Sequence, residues 1–120
     1  MDSKTTFASL KQKVEVFRND RDWLKFHNPK DLSMALSIEA SELEEVFLWK
    51  SQSEVSLVSK DKLKLGRVKE EMADICIYLL SLASVLQIDL SDAVVEKLAK
   101  NEGKYPVSKS KGSSRKYNEL

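Results

Sequence analysis

Apolar residues recur at helical spacing through most of the chain, and no stretch repeats the alternation typical of strands. The pattern predicts four helices, over about residues 4–26, 30–50, 62–87 and 90–105. Thr5 or Thr6 is expected to cap the first helix and Asp89 the fourth, with Pro106 marking the end of the fourth. The sequence therefore predicts an all-α fold, a four-helix bundle followed by a C-terminal tail.

The third predicted helix is apolar around most of its circumference. One face carries Val68, Met72, Ile75, Leu79, Leu82 and Leu86, and Cys76, Ile77 and Leu80 extend the apolar surface around the helix. A helix with this pattern is expected at the centre of the fold. Three other helices of a 120-residue chain do not easily cover so much apolar surface, so we expect a homo-oligomer.

A carboxylate interrupts the apolar stripe of the second predicted helix. Glu39 lies within about 20° of the centre of this stripe, and Glu42 lies at its edge. Glu44 and Glu45 point away from it, as solvated helix carboxylates do. The stripe itself consists of Leu32, Leu36, Leu43 and Val46. A charge that faces a core is costly unless something pairs with it.

The third predicted helix repeats this acidic pattern. Glu71 and Asp74 are three residues apart, and the same side continues one turn later to Tyr78. Two antiparallel helices would direct both pairs toward one cleft with no obvious basic partner, and oxygen-only ligands suit Mg²⁺ or Mn²⁺. The absence of a Glu-x-x-His motif argues against a ferritin-like di-iron site. The alternative is an ordinary helix surface, where acidic pairs at this spacing are common.

Composition limits the class of protein. The chain has 120 residues, 42% of them hydrophobic and 32% charged, with three Gly and two Pro, which is typical of one compact helical domain. The single Cys76 excludes an internal disulfide framework and fits a reducing compartment. There is no apolar signal core at the N-terminus and no apolar run near the roughly 18 residues that span a bilayer. We therefore expect a cytoplasmic protein with no membrane segment.

The C-terminal region is basic although the net charge is only +1. From Lys97 to Lys116 there are seven basic residues against one acidic residue. We divide the chain into a helical domain, 1–106, and a basic, extended or flexible tail, 107–120. One candidate function is a non-catalytic helical module whose tail binds RNA or acidic partners, and we keep it as an alternative to an enzyme. A nucleic-acid partner is disfavoured because the chain lacks an aromatic-rich RNA-binding motif.

The two acidic pairs, framed by "RDWLKFHNPKDL", "FLWK", "KYPV" and "SSRKYNEL", resemble the MazG-like nucleoside triphosphate pyrophosphohydrolases, and among them the dCTP pyrophosphatases. The resemblance runs from about Phe17 to the C-terminus. It implies an all-α fold, often a homotetramer, and Mg²⁺-dependent cleavage between the α- and β-phosphates of a nucleoside triphosphate. The implied substrate is dCTP or a modified dCTP, and the products are the monophosphate and pyrophosphate.

The resemblance also implies roles for individual residues. The implied metal-binding catalytic residues are Glu39, Glu42, Glu71 and Asp74, and the implied base pocket consists of Trp23, Trp49, His27 and Tyr78. The implied phosphate-binding residues are Lys97, Asn101, Lys104 and Tyr105. Core packing is the alternative role for either tryptophan. The chain departs from the vertebrate-type dCTP pyrophosphatase pattern at Val85, where that pattern has arginine, and in the segment "PVSKSKG".

Overall fold

The computed structural model describes residues 1–120 and contains helices but no β-strand, which confirms the predicted all-α fold. Its six α-helices are α1 (Phe7–Asp20), α2 (Pro29–Phe47), α3 (Gln52–Ser56), α4 (Lys62–Val85), α5 (Leu90–Lys104) and α6 (Val107–Ser110). Three short 3-10 helices span Leu24–Phe26, Val58–Lys60 and Tyr117–Glu119.

The predicted number of four α-helices is wrong, because two further segments form short helices. α3 lies in the connector after α2, where Ser51 and Glu54 exchange hydrogen bonds in a capping box. α6 lies in the segment that was expected to be an extended tail, and it begins directly after Pro106. Helices of about one turn are too short to show an apolar period in the sequence.

The first helix is shorter than predicted. α1 ends at Asp20, and Asp22 adopts a φ of 53°, a left-handed conformation that does not continue a right-handed helix. The backbone N–H of Trp23 then donates to the carbonyl oxygen of Arg18 over 3.1 Å. The chain continues into the 3-10 helix Leu24–Phe26, so the apolar spacing in the sequence continues beyond the end of α1.

Side-chain caps start the four long helices near the predicted positions. The caps are Thr6 for α1, Asn28 for α2, Asp61 for α4 and Asp89 for α5. Each side chain accepts a hydrogen bond from a backbone N–H of the first turn, which would otherwise lack a partner. α2 begins at Pro29, slightly earlier than predicted, because proline is favoured at the first helical position.

Residues 1–87 form one compact unit with α4 at its centre. α4 packs most extensively on α2 and also on α1, as expected of a helix that is apolar on most sides. The buried apolar core consists of Leu32, Val46, Val58, Leu80 and Ala83. The packing of α2 on α4 therefore fixes the two helices that carry the acidic pairs.

Residues 88–120 form a second unit that begins with α5. The ring of Tyr105 meets the ring of Tyr117 edge to face, with centroids 6.1 Å apart. The Nζ of Lys104 lies 4.8 Å from the centroid of the Tyr117 ring, within range of a cation–π interaction. These contacts link the end of α5 to the last 3-10 helix. The division into a domain at 1–106 and a tail at 107–120 stays a prediction.

Many large apolar side chains are exposed on the single chain. Leu63 is 81% exposed, Ile38 59% and Met72 57%. No single helix combines the length and apolar character needed to cross a membrane; only α4 and α5 taken together across their break reach that threshold by composition. In the single chain, these side chains are exposed to solvent.

We expect the two leucines at opposite ends of α4 to respond differently to truncation. Leu80 is 2% exposed, so Leu80→Ala should leave a cavity and lower the free energy of unfolding by about 2–5 kcal/mol. Leu63→Ala is the matched control and should change it by no more than about 0.5 kcal/mol. Chemical denaturation of both variants measures the difference. A larger loss at Leu63 than at Leu80 would contradict the core described above.

Candidate active site

The packing of α2 on α4 brings carboxylates from the two helices together. Glu39 and Glu42 lie one turn apart on α2, and Glu71 lies on α4. One carboxylate oxygen from each of these three residues lies within 4.8 Å of the others. Asp74, one turn after Glu71, lines the adjacent cavity together with Glu39. The four acidic residues singled out from the sequence thus lie in one region of the structure.

This crowding changes the protonation of the cluster. Burial, hydrogen bonding to Glu42 and repulsion from the neighbouring carboxylates raise the pKa of Glu39 to about 7. Burial and hydrogen bonding to Glu42 likewise raise the pKa of Glu71. Every charged group that contributes to these shifts is itself acidic. Neither ion pair of the chain, Lys25–Asp22 or Lys64–Asp61, involves a carboxylate of the cluster.

The donor atoms of the cluster fit a hard divalent cation. All are carboxylate oxygens, the ligands that Mg²⁺ and Mn²⁺ prefer. The Oε2 atom of Glu71 is buried and has no hydrogen-bond partner, so a ligand position is available without breaking an existing interaction. Glu39, Glu42 and Glu71 are thus the residues that could hold a metal ion, with Asp74 next to them.

A cavity of about 210 Å³ opens beside the acidic cluster. Its lining consists of Val14, Phe17, Arg18, Trp23, His27, Glu39, Asp74, Ile77, Tyr78 and Ser81. One wall is aromatic: the ring of Trp23 lies edge to face with Phe17, with centroids 5.8 Å apart, and 6.2 Å from the ring of His27. Three of the four residues predicted for a base pocket, Trp23, His27 and Tyr78, therefore share this cavity.

Local backbone structure places the aromatic wall. The left-handed conformation of Asp22 and the hydrogen bond from Trp23 to the carbonyl oxygen of Arg18 turn the chain back after α1. His27 follows the next 3-10 helix, and its buried Nδ1 has no hydrogen-bond partner. Burial and the charge of Arg18 lower the pKa of His27, which keeps the imidazole neutral at neutral pH.

Trp49 is not brought into this cavity. Its side chain is 93% exposed, and its backbone has a φ of 64°, just after α2 ends. Glycine is the usual residue in this conformation at a helix end, since a side chain is disfavoured there. The bulky indole is thus held outside the core at a position whose backbone would favour glycine.

The predicted phosphate-binding residues all lie in the second unit. Lys97 and Asn101 line a shallow depression of about 350 Å³ on α5, whose other lining residues are Ala93, Val94 and Leu98. Lys104 and Tyr105 contact Tyr117. This depression is larger than the cavity beside the acidic cluster, but it contains no carboxylate and no aromatic ring. We therefore regard the smaller cavity as the chemical centre.

Sequence reasoning missed Arg18, which lines the cavity and is only 7% exposed. A signal for it exists in the sequence, because Arg18 stands one turn after Val14, beside the apolar stripe of the first predicted helix. Its partner on α4, Ser84, is 66 residues away in the chain. Only the packing of α1 on α4 reveals that contact.

The fold and the acidic site agree with comparisons to known proteins. The model of the MazG-like family matches residues 34–120, and the chain belongs to this family. dCTP pyrophosphatase 1 of Mus musculus is 37% identical over 115 residues, covering 96% of this chain and 68% of the relative. The Homo sapiens protein of the same name is 36% identical over 115 residues, with the same coverage.

A solved structure supports the same relationship. The crystal structure of a pyrophosphatase from Archaeoglobus fulgidus superposes with a TM-score of 0.71 at 44% sequence identity. The match covers 79% of this chain and 87% of the other. The resemblance to the MazG-like family that the sequence motifs indicated is confirmed.

The repulsion within the acidic cluster predicts how stability depends on pH. Glu39 keeps a proton in the folded protein up to about pH 7, whereas glutamate in an unfolded chain ionises near 4.5. Since the folded state binds more protons over this interval, the stability of metal-free protein should fall as the pH rises through it. Thermal melts in chelator between about pH 5 and 8 measure the slope.

Glu39→Gln should flatten that slope, whereas Glu44→Gln, on the solvated side of α2, should preserve it. His27 titrates in the opposite direction in all three proteins, and the pKa of Glu71 is raised like that of Glu39, so the difference in slope between the two variants measures the acidic cluster rather than His27. Equal slopes in the wild type and the Glu39→Gln variant would contradict the proposed repulsion.

Proposed function

We propose that this protein is a Mg²⁺-dependent enzyme that converts dCTP or a modified dCTP to the monophosphate and pyrophosphate. Membership of the MazG-like family, with dCTP pyrophosphatases among its relatives, makes the chain a nucleoside triphosphate pyrophosphohydrolase. The observation that carries the proposal is the meeting of Glu39, Glu42 and Glu71 beside a cavity with an aromatic wall.

The acidic cluster is proposed to hold the metal. Glu39, Glu42, Glu71 and Asp74 would be its ligands, with Mn²⁺ as an alternative to Mg²⁺. When bound, such an ion neutralises triphosphate charge and lowers the pKa of a coordinated water. The four carboxylates themselves would be catalytic by holding the ion and orienting the attacking water, which would act as the nucleophile because the cluster contains no cysteine or histidine.

The cavity beside the cluster is proposed to bind the base. Its volume of about 210 Å³ is below the roughly 300–1,000 Å³ of typical small-molecule pockets, so it suits one ring rather than a whole nucleotide. Trp23 and Tyr78 supply flat surfaces, and stacking a base on an aromatic ring contributes about 1–3 kcal/mol. His27 lies at the same wall. Trp49 stays a proposed contact of the base, and its side chain lies outside this cavity.

The phosphates are proposed to contact α5 and its end. Lys97 and Lys104 supply positive charge, and Asn101 and Tyr105 supply hydrogen-bonding groups that suit phosphate oxygens. The carboxylates of the acidic cluster repel a triphosphate, so cationic side chains at its phosphates would favour binding.

Release of pyrophosphate from dCTP, dTTP, dUTP and dATP tests the reaction and the base preference together. We expect turnover that requires Mg²⁺, stops with chelator and favours dCTP. Glu39→Gln should lower turnover at least about a hundredfold, because it removes a ligand charge while keeping side-chain size. Glu44→Gln should leave turnover unchanged.

Near-normal Mg²⁺-dependent turnover in the Glu39→Gln variant would refute the ligand assignment. Metal-independent binding of polyanions without any turnover would instead favour the non-catalytic interaction module. The two results are distinguishable, because only the first retains release of pyrophosphate.

The protein is also proposed to be a homo-oligomer, most simply a tetramer. The support is the exposed apolar surface of the single chain, which includes Ile38 on α2 and Met72 on α4. Exposure of this kind on a monomer favours association, since burying it removes apolar area from water. Light scattering at micromolar concentration should give a mass above that of one chain, 13.7 kDa. A monodisperse monomer would contradict the oligomer.

A further inference from the structure

Arg18 is a buried charge without an acidic partner in contact. It is 7% exposed, whereas the ion pairs of the chain, Lys25–Asp22 and Lys64–Asp61, lie on the surface. Burying a guanidinium is costly unless its donors are satisfied. The cost of burying Arg18 at the cavity wall therefore has to be offset by a further interaction.

The side chain of Arg18 donates hydrogen bonds to two neutral side chains. Its Nε donates to Oδ1 of Asn19 over 3.1 Å, and one terminal nitrogen donates to Oγ of Ser84 over 3.4 Å. The Ser84 hydroxyl in turn donates to a carboxylate oxygen of Glu15 over 2.5 Å. Arginine has five N–H donors, so these contacts orient the guanidinium and leave several donors unused.

The unused donors belong to a residue that lines the cavity of Trp23, His27 and Tyr78. Aromatic and apolar walls suit a flat ring, and a guanidinium at the wall suits acceptor atoms on the edge of that ring. A guanidinium is cationic and does not ligate a metal. Its place in the cavity therefore points to the heterocycle.

We propose that Arg18 determines base specificity by donating two parallel hydrogen bonds to adjacent acceptors on the base edge, namely N3 and O2 of cytosine. This inference rests on the proposed function of the site. Uracil and thymine present an N3–H at the same position, so an N–H of Arg18 would face another N–H and that hydrogen bond would not form. The O6 and N7 atoms of guanine offer a similar pair of acceptors, but on a larger ring system.

Binding of nucleoside monophosphates to the metal-free protein tests this role separately from turnover. Calorimetry in chelator should show that the wild type binds dCMP about tenfold or more tightly than dUMP or dGMP. Arg18→Met should bring dCMP and dUMP near parity by weakening dCMP alone. Arg18→Lys should not restore the preference, because an ammonium lacks the planar fork of donors.

Arg21→Met is the matched control. Arg21 lies on the same turn but is exposed, with its guanidinium 3.7 Å from the centroid of the Phe17 ring. This variant should keep the preference for dCMP. Arg18→Met is expected to fold, since an apolar side chain of similar length replaces a buried charge, and its thermal melt checks this.

The outcomes separate the specificity role from the reaction. An unchanged preference in Arg18→Met, an equal loss for all three monophosphates, a loss confined to dGMP, or a wild type that does not prefer dCMP would each overturn the role of Arg18. A wild type that prefers dCMP through Arg18 but releases no pyrophosphate from any triphosphate would instead overturn the proposed reaction and leave the specificity role standing.

Discussion

Repulsion between carboxylates across the α2–α4 interface is the constraint on which the site depends. The packing that buries Leu32 and Leu80 also holds Glu39 against Glu71, so the helices cannot separate to relieve the repulsion without exposing their core. Burial, the hydrogen bond with Glu42 and the charges of the neighbouring carboxylates, including Glu71 across the interface, raise the pKa of Glu39 to about 7. Core stability and the crowding of the carboxylates are thus properties of one interface, because the apolar contacts supply the free energy that keeps like charges together.

The cavity adds a second electrostatic contrast. The carboxylates of Glu39 and Asp74 and the guanidinium of Arg18 line the same cavity, together with aromatic and aliphatic side chains. A charge next to apolar side chains is screened less than a charge in bulk water, so each group would act more strongly on a ligand placed beside it. A nucleotide has matching parts: an anionic end that requires a cation, and a ring whose edge carries acceptors. On the proposed function, this arrangement would orient a nucleotide as well as bind it.

The helix α4 contributes residues to three different environments. α4 contributes Glu71 and Asp74 to the site, Leu80 to the core, and exposed side chains such as Met72 to the surface. A helix that serves three environments cannot be optimised for one of them. Its exposed apolar side chains remain in contact with water in the single chain.

Residue spacing by itself determined the helices and their acidic faces. The caps Thr6 and Asp89, the central place of α4 and the four carboxylates were all predictable, because capping and helical periodicity act within a few residues. The left-handed Asp22 that ends α1, the one-turn helices α3 and α6 and the exposed position of Trp49 carry no such period. Local turn geometry decided them instead.

The tertiary structure alone decided which faces meet. Arg18 contacts Ser84 across 66 residues, and Ser84 contacts Glu15 across 69. Each of these side chains looks ordinary in its own helix, and their joint role appears only when α1 packs on α4. A sequence specifies the face on which a residue lies through short-range geometry. The partner opposite that face depends on the simultaneous burial of distant apolar stripes, which no local pattern contains.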